Sequence, residues 1–322
     1  MELRPLVIGS GAVGLALGSA FIAAGRRPRL LARQGTAEAL RRHGLSRVGI
    51  LGERTDPPDS FDLGLAPGDF PPPPASAALV CTKSFDTAAV AETLATASDA
   101  LERDAPIILC QNGWGHAEHF TPHFEAERIF VATIMTGFRR PTPHVSEITV
   151  HARPIQMGSL YGHSTAALGP IADALTAGGI ACALTNQMEA EAWAKILYNS
   201  CLNPLGAVLG RPYGALADDP TTRRTMDALA RETFSVISAA GIQTLWPDAD
   251  TWLAHFYTEL VPPTANHESS MLQDLRAGRR TEIESLTGAI VRLAETHGVA
   301  VPTHRELRAR ITTAERTSRK RP

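Results

Sequence analysis

The first half of the chain alternates short apolar runs with glycine-rich turns and helical patterns. The run Leu6–Ile8 leads directly into a cluster of glycines and then into an alanine-rich helical pattern that stops at Gly25. Continuous apolar runs of this kind are typical of buried parallel strands. Further strands are expected at 28–32, 78–82, 106–110, 129–135, 147–151, 155–158 and 181–184. Helices are expected after Gly113 and over 166–177, so the pattern predicts a doubly wound α/β sheet of the Rossmann type.

From Met188 onward the apolar spacing is helical almost without interruption. Helices are predicted over 188–210, 218–240, 248–257, 265–277 and 282–297. A strand-bearing half followed by a helical half predicts an α/β domain and an all-helical domain that meet at a cleft. The predicted boundaries are a first domain over 1–186, a helical domain over 187–312 and a polar tail over 313–322. The proline-rich segment 53–76 is expected to be an irregular connection with no assigned chemistry.

Composition and charge narrow the classes of function. With 322 residues, 44% of them apolar, the chain is long enough to bury two cores. The formal net charge of -2 gives no electrostatic case for binding nucleic acid or an anionic membrane. No apolar stretch reaches the roughly 18 residues of a membrane span and no signal peptide is seen, so a cytoplasmic protein is expected. The four cysteines lie far apart without metal-ligand spacing, which predicts reduced thiols and no metal site.

A glycine-rich turn follows the first predicted strand and opens the first predicted helix. It consists of Gly9, Ser10, Gly11, Ala12, Val13 and Gly14. In a dinucleotide-binding unit the first glycine permits the tight turn, the second lets the backbone approach a pyrophosphate, and the third lets the helix pack on the strand. The helix N-terminus then offers N–H groups to the phosphates. The position between strand and helix therefore predicts a cofactor site, the alternative being a glycine-rich turn that binds nothing.

Basic and amide residues follow other predicted strands. Arg33 stands at the end of the second strand, where an NAD site places an acid for the ribose 2′-hydroxyl and an NADP site places an arginine for the 2′-phosphate. Arg33 therefore favours NADP(H), and the alternative is a solvated arginine in an arginine-rich protein. Lys83 and Asn112 follow two later strands, and ligands of doubly wound sheets collect at the carboxyl ends of the strands.

Lysine is rare in this chain, which makes its positions informative. Only Lys83, Lys195 and Lys320 are lysines among the 31 basic residues. Arginine keeps its proton near neutral pH, whereas a desolvated lysine can release one. An interior lysine is therefore a candidate proton donor. Lys320 lies in the polar tail, where we expect disorder.

One predicted helix carries an unusual polar stripe. Lys195, Asn199 and Asn203 fall at positions i, i+4 and i+8 and share one helix face. A buried cation and two buried amides are costly unless they meet a polar ligand or one another. The alternative is structural: Pro204 removes one helix hydrogen bond, and neighbouring side chains can compensate for it.

A second polar cluster lies near the carboxyl end of the helical half. Ser270 and Asp274 share one face of a predicted helix. Thr281 and Glu284 have the spacing of a capping box for the next helix, which would put Glu282 in its first turn. A carboxylate is favoured there by the helix dipole alone. From the residues themselves, a structural and a functional interpretation of this cluster are equally supported.

Taken together, these motifs resemble the ketopantoate reductase (2-dehydropantoate 2-reductase) family over nearly the whole chain. The resemblance rests on Gly9-x-Gly11-x-x-Gly14, Lys83, Asn112-Gly113, Lys195-x3-Asn199-x3-Asn203-Pro204, and the runs 269–274 and 281–284. It implies a Rossmann domain, a helical domain related to that of 6-phosphogluconate dehydrogenase, and an NADPH-dependent oxidoreductase. The implied reaction is the reduction of ketopantoate to (R)-pantoate in pantothenate and coenzyme A biosynthesis. The proline-rich loop, Gln111, Trp114 and 138–141 depart from the family pattern.

The resemblance also implies roles for individual residues. Lys195 matches the catalytic lysine, a general acid for the oxygen of the reduced carbonyl, and Glu282 matches the essential acid. Substrate-binding positions correspond to Asn112, Asn199, Asn203 and Ser270. Cofactor-binding positions correspond to Gly9, Ser10, Gly11, Ala12, Val13, Gly14, Arg33, Lys83, Asn112 and Glu282.

Three rival functions stay open at the level of sequence. The same architecture serves reductases of other 2-oxo acids or carbonyls, because one substrate methyl changes binding by only about 1–3 kcal/mol. A non-catalytic NADP-binding sensor would need neither Lys195 nor Glu282. The β-hydroxyacid dehydrogenase class shares the domain plan and a helical lysine, but Asn203-Pro204 fits ketopantoate reductase better. The expected partner is a small 2-oxo acid, and both a monomer and a homodimer are compatible with the sequence.

Overall fold

The computed structural model describes residues 2–318, which form two compact units. The first unit holds residues 2–111 together with His116–Met188. The second unit holds Asn112–Gly115 together with residues 189–318. The segment Asn112–Gly115 thus groups with the helical residues, although it follows a strand in sequence. The domain boundaries expected from the sequence stay a prediction.

The strands of residues 2–318 lie in the first unit. They are β1 (Pro5–Ile8), β2 (Arg29–Leu31), β3 (Leu45–Gly49), β4 (Arg54–Asp56), β5 (Asp62–Gly64), β6 (Ala77–Val80), β7 (Ile107–Leu109), β8 (Ile129–Thr133), β9 (Thr136–Arg139), β10 (Val145–His151), β11 (Ile155–Gly158) and β12 (Cys182–Leu184). Eight of them form one sheet in the order β12, β11, β8, β7, β6, β1, β2 and β5. Its neighbours pair in parallel, except that β8 and β11 are antiparallel. The predicted parallel sheet of the Rossmann type is confirmed.

The central strands of this sheet end at the same level. Ile8 of β1 lies opposite Leu31 of β2 and Val80 of β6, and Val80 lies opposite Leu109 of β7. Buried apolar side chains cover both faces, as expected for parallel strands. The glycine turn after β1 and the residues after β2 and β6 therefore emerge at one edge of the sheet, the edge at which such folds bind ligands.

A smaller sheet has the order β4, β3, β10 and β9. Here β3 and β10 are parallel, and the outer strands pair antiparallel with them. The expectation that 53–76 is irregular is wrong in part, because this segment contains β4 and β5, which pair with β3 and β2. Strands of three residues in a polar sequence are determined by their pairing partners rather than by a local hydrophobic pattern.

The described part of the first unit contains four α-helices. They are α1 (Ala12–Ala23), α2 (Gln34–His43), α3 (Thr87–Thr96) and α4 (Gly169–Ala177). The helix α1 follows the glycine turn as predicted and packs Leu15 and Phe21 into the core. The prediction of an α-helix after Gly113 is wrong, since two 3-10 turns, Ala117–His119 and Ala126–Arg128, lie between Gly113 and β8. Gly113 and Gly115 have φ values of 104° and 89°, which a right-handed helix cannot use.

The second unit is helical. Its α-helices are α5 (Met188–Leu209), α6 (Tyr213–Asp218), α7 (Pro220–Ala239), α8 (Ala249–His255), α9 (Ser270–Arg276), α10 (Thr287–His297) and α11 (Pro302–Ser318). The helix predicted over 218–240 begins at Pro220 instead, because Asp218 is the last residue of α6. The Asp219 carboxylate between them accepts the Thr221 N–H and caps α7. The helix α9 begins later than expected, because the Ser269 hydroxyl oxygen accepts the Leu272 N–H and caps it there.

The last helix, α11, corrects the expectation of a polar tail from residue 313. It continues to Ser318 and buries Leu307 and Ile311. Only a few apolar positions mark this helix, so its sequence resembles a solvated segment. Residues 319–322, which include Lys320, lie outside the described residues. Within residues 2–318 no helix is both long and apolar enough to cross a membrane.

Candidate functional site

The glycine turn after β1 brings backbone segments into close contact. Gly9 has a φ of 96°, and a Cβ there would lie 2.8 Å from the backbone nitrogen of Thr82. A Cβ on Gly14 would lie 2.1 Å from the carbonyl oxygen of Gly9. Both positions therefore require glycine. By contrast, a Cβ on Gly11 would meet no atom within 4 Å, so open space lies in front of α1.

The N-terminus of α1 is suited to a phosphate group. Gly11 is its N-cap residue, and among residues 2–318 no side chain caps this helix end. The first N–H groups of a helix lack intrahelical partners, and the helix dipole favours an anion there. Ala12 and Val13 occupy these half-buried positions. Ser10 is held by a 3.0 Å hydrogen bond from its hydroxyl to the Leu31 carbonyl. The six predicted residues of the turn thus lie together around an open space.

Arg33 and Lys83 follow β2 and β6 at the same edge of the sheet. Arg33 is the N-cap residue of α2, and its side chain, 86% exposed, forms an ion pair with Asp86 at 2.9 Å. Lys83 is half-buried and precedes the 3-10 turn Ser84–Asp86. Asp86 therefore links the Arg33 guanidinium to the turn that follows Lys83.

The Gln111 side chain forms hydrogen bonds to the residues around the turn that follows Lys83. The sequence did not predict this role. Its amide nitrogen lies 3.1 Å from the Thr82 hydroxyl, 3.3 Å from the Lys83 carbonyl and 3.0 Å from the Thr87 hydroxyl. Gln111 is 6% exposed, so its amide has little water to replace these contacts. As part of a Gln-Asn-Gly turn it carried no signal that distinguishes a buried amide from a solvated one.

The polar stripe on α5 has the geometry that its spacing predicts. Lys195, Asn199 and Asn203 are 8%, 9% and 7% exposed. The side-chain oxygen of Asn203 accepts a 2.5 Å hydrogen bond from the Tyr213 hydroxyl. Burial raises the pKa of Tyr213 well above its usual range, so this hydroxyl stays protonated and able to donate. Asn203 thus bonds to a side chain of α6 rather than compensating for the bond that Pro204 removes.

Glu282 lies in a turn that precedes α10, so the expectation that it lies in the first helical turn is wrong. The predicted capping box is wrong as well, because Glu284 accepts two hydrogen bonds from Arg308, at 3.0 and 2.8 Å. Thr281 donates its N–H and its hydroxyl to one carboxylate oxygen of Glu315, at 2.6 and 2.5 Å. Both Arg308 and Glu315 belong to α11, which therefore holds the residues on either side of Glu282.

The segment after Gln111 contacts the same turn. The Asn112 side-chain nitrogen donates to a carboxylate oxygen of Glu282 at 3.4 Å. The Trp114 N–H donates to the Ser285 carbonyl at 2.9 Å. A Cβ on Gly113 would lie 2.2 Å from that carbonyl oxygen, so only glycine allows this approach. The turn that carries Glu282 is thus held by α11 and by residues 112–115 together.

A small pocket lies within the second unit, and most of the residues that line it are polar. It is lined by Asn112, Asn199, Asn203, Ser270, Met271, Asp274, Glu282 and Leu286. The structure therefore brings together five predicted site residues, namely Asn112, Asn199, Asn203, Ser270 and Glu282. Lys195 precedes Asn199 by one turn on the same face of α5 but does not line this pocket. Amides, a hydroxyl and carboxyl groups beside two apolar side chains suit a small polar molecule.

Asp274 is a pocket residue that the site prediction left out. It is 4% exposed, and its carboxylate accepts a 2.9 Å hydrogen bond from the Arg279 side chain. Its position four residues after Ser270, on the same face of α9, is the signal that could have found it. A buried carboxylate that an arginine orients at the wall of a pocket can accept a hydrogen bond from a hydroxyl group.

The glycine turn in a parallel sheet and the helical unit with its polar pocket define the class, a two-unit protein of the Rossmann type. Comparison with known families agrees with this class. The family described as Ketopantoate reductase PanE/ApbA matches residues 6–162, and its C-terminal part matches residues 187–315. The chain belongs to the ketopantoate reductase family, a family of oxidoreductases.

Individual relatives extend over nearly the whole chain. The 2-dehydropantoate 2-reductase of Aquifex aeolicus is 33% identical over 310 residues, which is 94% of each chain. A solved PanE/ApbA family ketopantoate reductase from Ralstonia eutropha is 25% identical, with a TM-score of 0.84 over 98% of this chain and 99% of the other. A ternary structure of D-mandelate dehydrogenase with NADH and anilino(oxo)acetate has a TM-score of 0.87 over 98% and 99% of the chains at 20% identity, which shows the shared fold.

Proposed function

We propose that this protein reduces 2-dehydropantoate to (R)-pantoate with NADPH, in the cytoplasmic synthesis of pantothenate and coenzyme A. The observation that carries the proposal is the polar pocket, in which Asn112, Asn199, Asn203, Ser270 and Glu282 line one small cavity. Relatives named 2-dehydropantoate 2-reductase support the same substrate. A short 2-oxo acid with a hydroxyl group presents a carboxylate, a carbonyl and a hydroxyl, and this lining offers hydrogen-bond partners to each.

The first unit supports binding of a nicotinamide dinucleotide. The open space at Gly11 and the uncapped N-terminus of α1 fit a pyrophosphate, and the close contacts of Gly9 and Gly14 keep the turn narrow. Arg33 at the start of α2 favours the 2′-phosphate of NADP over the bare ribose of NAD. The D-mandelate dehydrogenase with NADH makes NAD the competing choice for this fold.

The chemistry that we assign to the chain's own residues is proton transfer and charge stabilisation. When bound, the reduced nicotinamide supplies a hydride to the 2-oxo carbon. The Lys195 ammonium stabilises the negative charge that develops on the former carbonyl oxygen and donates a proton to it. Asn199, Asn203 and Ser270 orient the substrate by neutral hydrogen bonds. This division of labour explains why a buried lysine is kept in a chain whose basic residues are nearly all arginines.

Glu282 is the second residue to which we assign a direct role. Its carboxylate accepts a hydrogen bond from Asn112 and also lines the pocket. We assign it to a hydrogen bond with the substrate hydroxyl or to keeping Lys195 charged. Both roles need a carboxylate at a fixed position, which the contacts of Thr281 and Glu284 to α11 provide.

The proposal is tested by the loss of NADPH absorbance with purified protein and 2-dehydropantoate, repeated with NADH. We expect turnover with a clear preference for NADPH and a chiral product identical to (R)-pantoate by chromatography. A protein that binds NADPH but turns over none of this substrate would contradict the substrate assignment. Equal turnover with NADH would contradict the cofactor assignment while leaving the substrate assignment standing.

A second candidate function is the reduction of a different 2-oxo acid by the same residues. The observation in its favour is that Met271 and Leu286 line the pocket beside the polar groups, so part of the wall accepts an apolar side chain. One methyl group in such a wall changes binding by only about 1–3 kcal/mol. A panel of 2-oxo acids that differ in chain branching and in the 4-hydroxyl group separates the two candidates by their kcat/KM values.

A further inference from the structure

An arginine from the smaller sheet reaches the start of α2. Arg140 follows β9, in the hairpin that leads to β10. Its guanidinium donates to the Thr36 hydroxyl at 2.6 Å and to the Pro143 carbonyl at 2.8 Å. Thr36 lies in the first turn of α2, three residues after Arg33. Two guanidinium groups that are far apart in sequence therefore flank the N-terminal turn of one helix.

The N-terminal end of α2 has further features that favour the binding of an anion. The first turn of α2 contains no acidic residue. A Cβ on Gly35 would meet no atom within 4 Å, so the space beside the turn is open. The Arg33 carbonyl accepts the N–H groups of Thr36 and Ala37, which leaves the two preceding N–H groups at the helix end. The nearby acid Glu38 accepts a 2.6 Å hydrogen bond from the Gln34 side chain.

Arg33 and Arg140 are held by different partners. Arg33 is 86% exposed and shares its charge with Asp86, so water and a carboxylate both compete for it. Arg140 is exposed as well, and its guanidinium is oriented by hydrogen bonds to a hydroxyl of α2 and to a carbonyl of its own hairpin. A guanidinium that is already oriented loses less freedom when an anion binds.

We propose that Arg140 is the second guanidinium of the 2′-phosphate site and a determinant of NADP(H) selectivity. The inference rests on the proposed function, in which Arg33 contacts the same phosphate. A phosphate monoester carries close to two negative charges and accepts hydrogen bonds on three oxygens, which two planar guanidinium groups satisfy from two sides. The ribose 2′-hydroxyl of NAD offers neither charge nor acceptors of this strength.

The neighbouring Arg139 provides a matched control. It is the last residue of β9 and forms a 3.8 Å ion pair with Glu147, with a side chain that is 62% exposed. Successive side chains of a strand point to opposite faces. Replacing Arg139 therefore removes one positive charge from the same hairpin without removing the contact to Thr36.

The test is the affinity of Arg140→Gln and Arg139→Gln for NADPH, NADH and adenosine 2′,5′-bisphosphate, measured by calorimetry. Arg140→Gln is expected to weaken NADPH and adenosine 2′,5′-bisphosphate roughly tenfold to a hundredfold, the effect of losing one charged hydrogen-bonding partner. NADH affinity should stay within twofold. Arg139→Gln should leave all three affinities within twofold. Arg140→Lys keeps the positive charge but loses the planar guanidinium group, so its affinity for NADPH should lie between those of the wild type and Arg140→Gln. This partial recovery would show that the loss in Arg140→Gln does not come from a folding defect.

Each other outcome overturns part of the reasoning. Equal weakening of NADPH and NADH by Arg140→Gln would mean a structural role and overturn the inference. Unchanged NADPH affinity in that variant, with a wild-type protein that prefers NADPH, would overturn the inference alone. A wild-type protein that binds NADPH no better than NADH would overturn the cofactor part of the proposed function together with the inference.

Discussion

Replacing Glu315 by glutamine tests whether the last helix holds the turn of Glu282 in place. One oxygen of the Glu315 carboxylate accepts both the N–H and the hydroxyl of Thr281, at 2.6 and 2.5 Å. Thr281 is 3% exposed, so water cannot take over either bond. The substitution keeps the size of the side chain and one acceptor oxygen but removes the charge.

The expected magnitude follows from these contacts. A hydrogen bond to a charged group contributes about 1.5–3 kcal/mol, and a neutral one about half as much. Because glutamine can keep one weaker bond, Glu315→Gln should lower the free energy of unfolding by about 1–2 kcal/mol. Glu282 is the residue next to Thr281, so its carboxylate loses its fixed position. We expect kcat for 2-dehydropantoate reduction to fall by roughly tenfold, equivalent to about 1.4 kcal/mol of barrier.

The assay compares urea unfolding and steady-state kinetics of Glu315→Gln with those of Glu306→Gln. Glu306 belongs to the same helix, is 70% exposed, and pairs with Arg310 at 3.7 Å. A surface pair of this type contributes about 0.5 kcal/mol or less, so the control should behave like the wild type. If Glu315→Gln loses stability but keeps kcat, α11 supports the fold without positioning Glu282. If Glu315→Gln and Glu306→Gln have the same free energy of unfolding and the same kcat, the contacts of Glu315 to Thr281 do not stabilise the protein.

Three further predictions concern other parts of the second unit. Gly113→Ala should destabilise the protein by at least about 2 kcal/mol in urea unfolding, because the residue has a φ of 104° and its Cβ would meet the Ser285 carbonyl oxygen at 2.2 Å. Tyr213→Phe should raise KM for the 2-oxo acid severalfold with little change in NADPH affinity, because Asn203 loses the donor that orients its amide. Burial lowers the pKa of His304 to about 4, so the unfolded state binds a proton first as the pH falls. The free energy of unfolding should therefore decrease between about pH 6.5 and pH 4, by up to about 3 kcal/mol, in a urea series against pH.

Each of these predictions has a control within the chain. Gly25 has a φ of 71° with open space at its Cβ, so Gly25→Ala should cost less than Gly113→Ala. Tyr161 is 42% exposed, and Tyr161→Phe should leave KM unchanged. His304→Gln should reduce the pH dependence, whereas replacement of the exposed His297 by glutamine should leave it in place. Burial also lowers the pKa of His144, His151 and His267, so a smaller pH dependence should survive His304→Gln. An undiminished pH dependence in His304→Gln would contradict the assignment to His304.

The sheet could be predicted because its signal is local. Each central strand is a continuous apolar run, and the glycine turn links the first of them to α1. The short strands β4 and β5 carry no such run, since their backbone is ordered by the neighbours with which they pair. The helix α11 was missed because it buries few apolar residues, of which Leu307 and Ile311 are two.

The site was predictable where residues share one helix face and unpredictable where distant segments meet. The spacing of Lys195, Asn199 and Asn203 is enough to fix their common face, because the helical repeat alone determines it. The contact of Asn112 with Glu282 joins residues that are 170 positions apart, and no local pattern indicates it. The prediction of a capping box between Thr281 and Glu284 was wrong for a similar reason. Both residues form hydrogen bonds to side chains of α11, which is distant in sequence, instead of to each other's backbone.

The most direct test of the central claim is the turnover of Lys195→Ala with NADPH and 2-dehydropantoate, measured beside its NADPH affinity. A general acid typically contributes about 10²- to 10⁴-fold to the rate, so kcat should fall at least a hundredfold while NADPH affinity stays within twofold of the wild type. Turnover of Lys195→Ala at the wild-type rate would contradict the assignment of this lysine and, with it, the proposed mechanism.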